Sequence, residues 1–331
     1  MKGVARLSLQ ALLVALILML ATPSSSRLAI EQPHVGLGAF LAERDHVYLV
    51  DNMKFDWVVW QLQWSLAEPS KGDYQWLGLD QLLAYAQSEG VKVILRVDSA
   101  PAWARSGPEG APPDDMDDFG DFMSAVASRA AGQVSGYVIW NEPNLPMNWG
   151  GSPSAAQYVQ MLEAVYPRIK AADPNAAVVT SGMATTGGPG GALCDLGGDL
   201  AGIQLAAYTE QLYAAGVVND LDFICRIYLR GGKPYFDVLG SHPYGFAYEP
   251  EQAPAPVSGL TFRRVEQQRA LMEICNDADT QIWAIEFGWI LDPGAACHNW
   301  GDWPTRTWQI VTRQQQAEYL RDAYLLSLIH I

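Results

Sequence analysis

One pattern constrains this chain more than any other: short apolar runs alternate with stretches whose apolar residues recur at helical spacing. The runs at 57–64 (WVVWQLQW), 91–97 (VKVILRV), 136–140, 177–181, 236–242 and 281–286 are dense in Val, Ile, Leu and aromatic residues, the composition of strands buried on both faces. A seventh, at 35–40, precedes them. Helical spacing follows at 77–89, which Gly90 closes as a C-cap, and again at 153–172, 200–215, 262–276 and from Gln314 onward. Asp114, Asp115, Asp117 and Asp118 open a further helix ending at Ala131, where acidic side chains favour the positive end of the helix dipole. Strand and helix in alternation are the signature of βα units and a parallel sheet, so the expected fold is α/β, a TIM (β/α)8 barrel. Seven strands precede the end of the sequence, so the last strand is expected to be missing and the barrel incomplete at its C-terminus. The final residues, 327–331 (SLIHI), resemble translated sequencing-adapter read-through.

Composition agrees with one large domain. The 331 residues are 49% hydrophobic and 17% charged, which supplies a sizeable core, and no window looks like a disordered tail. A net charge of −15 argues against a nucleic-acid partner, which would need clustered Lys and Arg. At the N-terminus Lys2 and Arg6 precede an apolar run at 11–21, then Thr22, Pro23 and three serines to Ser26. That layout is a signal peptide over 1–26, ahead of a barrel domain over 33–331, and implies a secreted or extracytoplasmic protein; an uncleaved N-terminal anchor is the alternative. No later segment is apolar enough to span a membrane. Cys194, Cys225, Cys275 and Cys297 show no CxxC spacing and have few histidines nearby, so neither a metal site nor a cofactor is expected. In an exported chain they are expected in disulfides. Of three connectivities, Cys194–Cys225 with Cys275–Cys297 is preferred because each would staple one long loop; buried thiols are the alternative. A Gly-rich excursion at 182–198 reads as a lid or insertion.

Barrels carry their functional groups at the C-terminal ends of the strands, and two carboxylates stand there. Glu142 follows the fourth strand in WNEPN (140–144), and Glu286 ends the seventh in WAIEFGW (283–289). A charge beside or inside an apolar strand is costly unless it has a partner or a task. Strands four and seven face one another across a barrel mouth, so their separation along the chain is no obstacle to a meeting.

WNEPN and IEFGW resemble the acid/base and nucleophile motifs of glycoside hydrolase clan A. With WSLAEPSKG (64–72), APAWA (100–104), AADPNA (171–176) and SHPYGF (241–246), the run 35–324 is similar to the family 39 and cellulase-like bacterial glycosyl hydrolases. The resemblance implies a retaining glycosidase acting on a β-linked poly- or oligosaccharide, with Glu142 as acid/base and Glu286 as nucleophile, their carboxyls about 5 to 5.5 Å apart. The nucleophile must stay ionised while the acid keeps its proton, so neighbours have to push the two pKa values apart. The resemblance also implies that Asn141 bonds the sugar hydroxyl beside the reacting carbon, that Tyr244 touches the nucleophile and that His242 touches the sugar. Trp64, Trp103 and Trp289 end strands or begin loops on that side and are candidates to stack on sugar rings; Trp300, Trp303 and Trp308 are further ones.

Two departures stand out. Relatives carry a basic residue within strand two, whereas WVVWQLQW has none, and Gln61 or Gln63 is expected to substitute. The eighth strand, which in the clan supplies an aromatic floor to the subsite, is expected to be missing. Transglycosylation would use the same residues as hydrolysis. An inactive carbohydrate-binding protein on the same fold is the other alternative, and retention of both glutamates counts against it.

Overall fold

The computed structural model describes residues 36–39, 55–187, 217–257, 259–295, 298 and 303–330, all within one compact unit, Val35–Ile331. Among the described residues, eight strands form a single sheet. The strands β1 (Gly36–Ala39), β2 (Trp57–Gln63), β3 (Lys92–Asp98), β4 (Gly136–Ile139) and β5 (Ala177–Thr180) pair in sequence order, and every pairing is parallel. The next positions are β7 (Val238–His242), beside β5, and β8 (Gln281–Ala284), beside β7. Only Ser181 and Gly182 separate β5 from the two-residue β6 (Met183–Ala184), and both pieces pair with β7. They are one interrupted barrel strand, which gives the seven positions expected from the sequence.

The helices that follow the strands are α1 (Leu77–Glu89), α2 (Met116–Ala130), α3 (Ala155–Ala172), α4 (Asp220–Leu229), α5 (Arg264–Ile274) and α6 (Arg313–His330). Their ends follow capping chemistry. Gly90 closes α1 at φ 70°, a left-handed conformation open to glycine. Asp115 accepts from the Asp117 N–H to open α2, and Ser154 accepts from the Gln157 N–H to open α3. The helix α4, capped by Asn219 through the N–H groups of Leu221 and Asp222, is absent from the sequence reading. The helix expected at 200–215 lies outside the described residues, as do the expected signal peptide, Cys194, Cys297, Trp300 and most of the 182–198 excursion. Cys275 is half-buried, and its expected disulfide partner is among the residues not described. No helix among the described residues is long and apolar enough to cross a membrane.

The period-2 alternation of the strands divides the core in two. Val93, Leu95 and Val97 of β3 join a large cluster with helix residues such as Leu82, Phe119, Phe122, Val126 and Leu162. Their neighbour Ile94 turns the other way, into an inner cluster with Val138, Val179, Val238 and Ile285. Curvature of the sheet closes around that inner cluster. The rings of Trp57 on β2 and Trp283 on β8 lie 6.1 Å apart, and Tyr324 of α6 meets Phe55 at 5.7 Å and Phe287 at 5.2 Å. Among the described residues no strand pairs β8 with β1.

Trp64, one of the candidate sugar-stacking residues, is a core residue. Its ring is fully buried between the sheet and α2, stacked on Phe122 at 5.4 Å, and its indole N–H donates to Glu68. No face is left for a sugar. Trp64→Ala is therefore expected to cost about 3–5 kcal/mol of stability, read by urea denaturation. A loss below about 1 kcal/mol would contradict its placement in the core.

Candidate active site

Sheet alternation determines which polar groups enter the barrel mouth. On β3, Arg96 and Asp98 follow Ile94 at two-residue steps and so share its inward direction; they are 5% and 4% exposed. On β7, His242 lies four residues beyond the inward Val238 and is fully buried. Glu286 leaves the end of β8 one residue beyond the inward Ile285. Its side chain is largely covered, 18% exposed, the same fraction as that of Glu142.

The loop after β4 positions Glu142 by backbone constraint. Trp140 and Glu142 both sit at positive φ, 71° and 41°, a region that non-glycine residues rarely occupy and that clusters at functional sites. Hydrogen bonds hold it there. The Trp140 indole donates to the Asn148 carbonyl at 2.8 Å, and the Glu142 N–H donates to Ser181 Oγ at 2.8 Å, at the break between β5 and β6. Asn144, fully buried, donates to the carbonyls of Ala184 and Val218 and accepts from the Ala184 N–H.

Glu142, His242 and Glu286 converge, each bringing one oxygen or nitrogen to within 4.8 Å of the others. Imidazole Nδ1 of His242 lies 3.0 Å from Glu142 Oε1 and 3.8 Å from Glu286 Oε2. The ring fits because residue 182 is glycine: a Cβ there would stand 2.1 Å from His242 Cδ2. His242 thus sits between the carboxylates, with no exposed surface to offer a sugar, which corrects the expectation that it touches substrate.

The surroundings of the two carboxylates differ. Arg96 Nη1 donates to Glu286 Oε1, and the Tyr244 hydroxyl donates to Glu286 Oε2 at 2.7 Å. Glu142 instead meets His242 and, at 3.4 Å, the Asn148 amide. Burial works to raise the pKa of Glu286, but the charges of His242 and Arg96 and the hydrogen bonds from Tyr244 and Arg96 outweigh it and hold the carboxyl below its ordinary value. The Tyr244 hydroxyl is pushed up, by burial first and then by the negative charge of Glu286, so it remains a donor. A divalent ion could bridge the same three groups, but both oxygens of Glu286 are already engaged.

Arg96 is not among the residues expected from the sequence. Strand two carries no cation, and Gln61 there donates to Asp98 Oδ1 at 2.7 Å; the cation comes from β3. A charged residue inside the apolar run VILRV is the signal that could have found it. Asn141 lies beside Glu142, half-buried, and its Oδ1 has no hydrogen-bond partner among the described residues.

The remaining tryptophans act mainly as supports. Trp289, 4% exposed, packs on Phe262 and Tyr319 and donates to the Tyr248 carbonyl, and Gly245 lies so close to its ring that a Cβ there would overlap it. It props the loop that carries Tyr244, which corrects its expected place in the cleft. Trp103 is half-buried, donates to the Glu68 carbonyl and sits edge-on to Trp64, with Lys71 Nζ 5.7 Å over its ring; this too is scaffold contact. Trp308, 46% exposed, stacks on Phe246 with the rings 7° from parallel.

The family model described as Cellulase (glycosyl hydrolase family 5) matches residues 38–210, more than half of the 331 residues. The chain belongs to this cellulase family. The matched segment of this family 5 chain includes Glu142 and stops short of Glu286. Among solved structures, it is similar to a family 39 glycoside hydrolase from Bacteroides cellulosilyticus WH2, at 20% identity and a TM-score of 0.57 over 88% of this chain and 53% of that one. A glucosidase from Croceicoccus marinus is similar at 14% identity and 0.57, over 90% and 57%. A GH10 endoxylanase from a sugarcane soil metagenome is similar at 12% and 0.54, over 91% and 83%. At these identities the likeness is one of fold, that of the clan A barrel. The chain spans about half the length of the first two. A search of curated proteins gives no match.

The depressed pKa of Glu286 has a thermodynamic consequence. Its ionised form stabilises the native state above the unfolded-state value near 4.5, and that contribution is lost as pH falls through the lower folded value, because the unfolded chain takes up the proton first. Glu286→Gln is expected to flatten the slope of unfolding free energy against pH just below pH 4.5, measured by urea unfolding at closely spaced pH values. Asp277, also held low, supplies part of the remaining slope. An unchanged slope would contradict the depressed pKa.

Proposed function

We propose that this protein cleaves O-glycosidic bonds of a β-linked poly- or oligosaccharide with retention of configuration, by double displacement. The observation that carries the reading is the pair of carboxylates with oxygens within 4.8 Å and unequal partners. That spacing suits a nucleophile in direct reach of the anomeric carbon rather than the roughly 6.5–9.5 Å gap that an inverting enzyme leaves for water. Glu286, kept ionised by Arg96 and Tyr244, attacks the anomeric carbon and forms a glycosyl ester. Glu142 gives its proton to the departing glycosidic oxygen, then takes one from the water that hydrolyses the ester. Interception of the ester by a second sugar in place of water would make the same residues a transglycosylase. Asn141, with an unpartnered buried oxygen beside Glu142, is the group proposed to bond the hydroxyl next to the reacting carbon. The basic and apolar pattern of residues 1–26 supports an extracytoplasmic location for this chemistry.

The two glutamates should fail differently. Glu286→Gln is expected to reduce turnover to background on every substrate while sugar binding survives. Glu142→Gln should cost about 10²–10⁴-fold on natural glycosides and far less on aryl glycosides, whose leaving groups need no proton. Initial rates on a panel of aryl glycosides and unmodified oligosaccharides read both. Substantial turnover by Glu286→Gln, or equal losses on both substrate types for Glu142→Gln, would refute these roles.

A further inference from the structure

Asp98 has no part in the scheme above, yet it is the most completely enclosed carboxylate at the barrel mouth. It lies two residues after Arg96 on β3 and so projects from the same face of the strand. One oxygen, Oδ2, forms a buried ion pair with Arg96, 3.1 Å from its Nε but without hydrogen-bond alignment. The other accepts from Gln61 Nε2 at 2.7 Å and from Ser99 Oγ at 2.6 Å. Gln61 is the register partner of Arg96 on β2, so it reaches diagonally to Asp98. Ser99 is held at φ 66°, a conformation L residues rarely adopt. Asp98 is thus fixed from β2 and from its own strand end, with Arg96 between it and Glu286.

Charge alone does not account for this carboxylate. Glu286 is faced by Arg96 from β3, with Asp98 behind that guanidinium, by His242 from β7, by Tyr244 from the loop after β7 and by Glu142 from the loop after β4. A further negative group in that set weakens the field of Arg96 at Glu286. What Asp98 supplies is geometry. The guanidinium ends a long rotatable stem, and its fork is planar and rigid, so a buried ion pair on its Nε edge restricts the direction of Nη1. We propose that Asp98 is a positioning residue that, held by Gln61 and Ser99, clamps Arg96 so that its Nη1 stays on Glu286. The same clamp explains how β3 serves in place of the basic residue missing from strand two: Gln61 fills that strand's position and contributes by steadying Asp98.

The two accounts of Asp98 predict opposite signs. If it acted through its charge, Asp98→Asn would strengthen the field of Arg96 and make Glu286 easier to ionise. If it aims Arg96, the same substitution lets the guanidinium swing away and makes Glu286 harder to ionise. The experiment is a ¹³C-carboxyl NMR titration of Glu286 in the full chain, alongside the acid limb of kcat/KM. With Asp98→Asn, the Glu286 midpoint is expected to rise by about one pH unit, and the acid limb to move the same way. A midpoint that stays or falls in the folded variant overturns the proposal. Should Asp98→Asn not fold, Gln61→Ala decides: a smaller rise is expected, and no rise overturns it. The proposal draws its catalytic meaning from Glu286 as nucleophile, but the titration does not. An active Glu286→Gln would sink that reading and leave the midpoint to judge Asp98, whereas an inactive Glu286→Gln with an unmoved midpoint would sink the Asp98 proposal alone.

Discussion

The ion pair between Arg96 on β3 and Glu286 at the end of β8 spans the barrel mouth, and the rest of the site is built around it. A carboxylate with little solvent access is stable as an anion only where a cation and hydrogen-bond donors replace the lost water. The inner face of β3 provides the cation, and the loop after β7 provides the Tyr244 hydroxyl. The barrel is what makes this pairing available. Strands far apart in sequence present their C-terminal ends to one mouth, and the two-residue period of each strand sends alternate side chains there.

The second carboxylate is held by different means. Glu142 and Trp140 occupy backbone conformations that cost of order 1–3 kcal/mol each, and hydrogen bonds from the break between β5 and β6, from Asn144 and from the Trp140 indole offset that cost. The break itself has a function in the packing. Gly182 leaves room for the His242 ring, and Ser181 receives the Glu142 N–H. One interruption in a strand therefore serves both carboxylates, locating one directly and seating the imidazole that lies between them. Tryptophans hold this arrangement from outside: Trp289 lies under Gly245 and Trp64 under the turn that ends β2.

Much of this was legible in the sequence because strands and helices alternate with clear periods. Strand positions 57–64, 91–97, 177–181 and 281–286 lie within a residue or two of the observed bounds, and Glu142 and Glu286 stood out as charges against apolar strands. Arg96 obeys the same rule, but it lies on β3 rather than on the strand where relatives carry their cation. The helix α4 was not expected because it is only ten residues long, a length at which an apolar run is hard to separate from a buried strand. His242 was expected to face substrate. Its burial depends on Gly182, sixty residues earlier, and no local pattern reports such a contact. Tryptophans at strand ends are equally ambiguous, since a shift of one residue turns the ring from the mouth to the helix layer.

The central claim is that Glu286, and not Glu142, forms the covalent bond to sugar. Incubation with a series of activated 2-deoxy-2-fluoro β-glycosides, followed by mass spectrometry of the digested protein, tests it directly. The account predicts a single glycosyl adduct on the peptide that contains Glu286, and release of product with the anomeric configuration of the substrate. An adduct on Glu142, or product of inverted configuration, would contradict it.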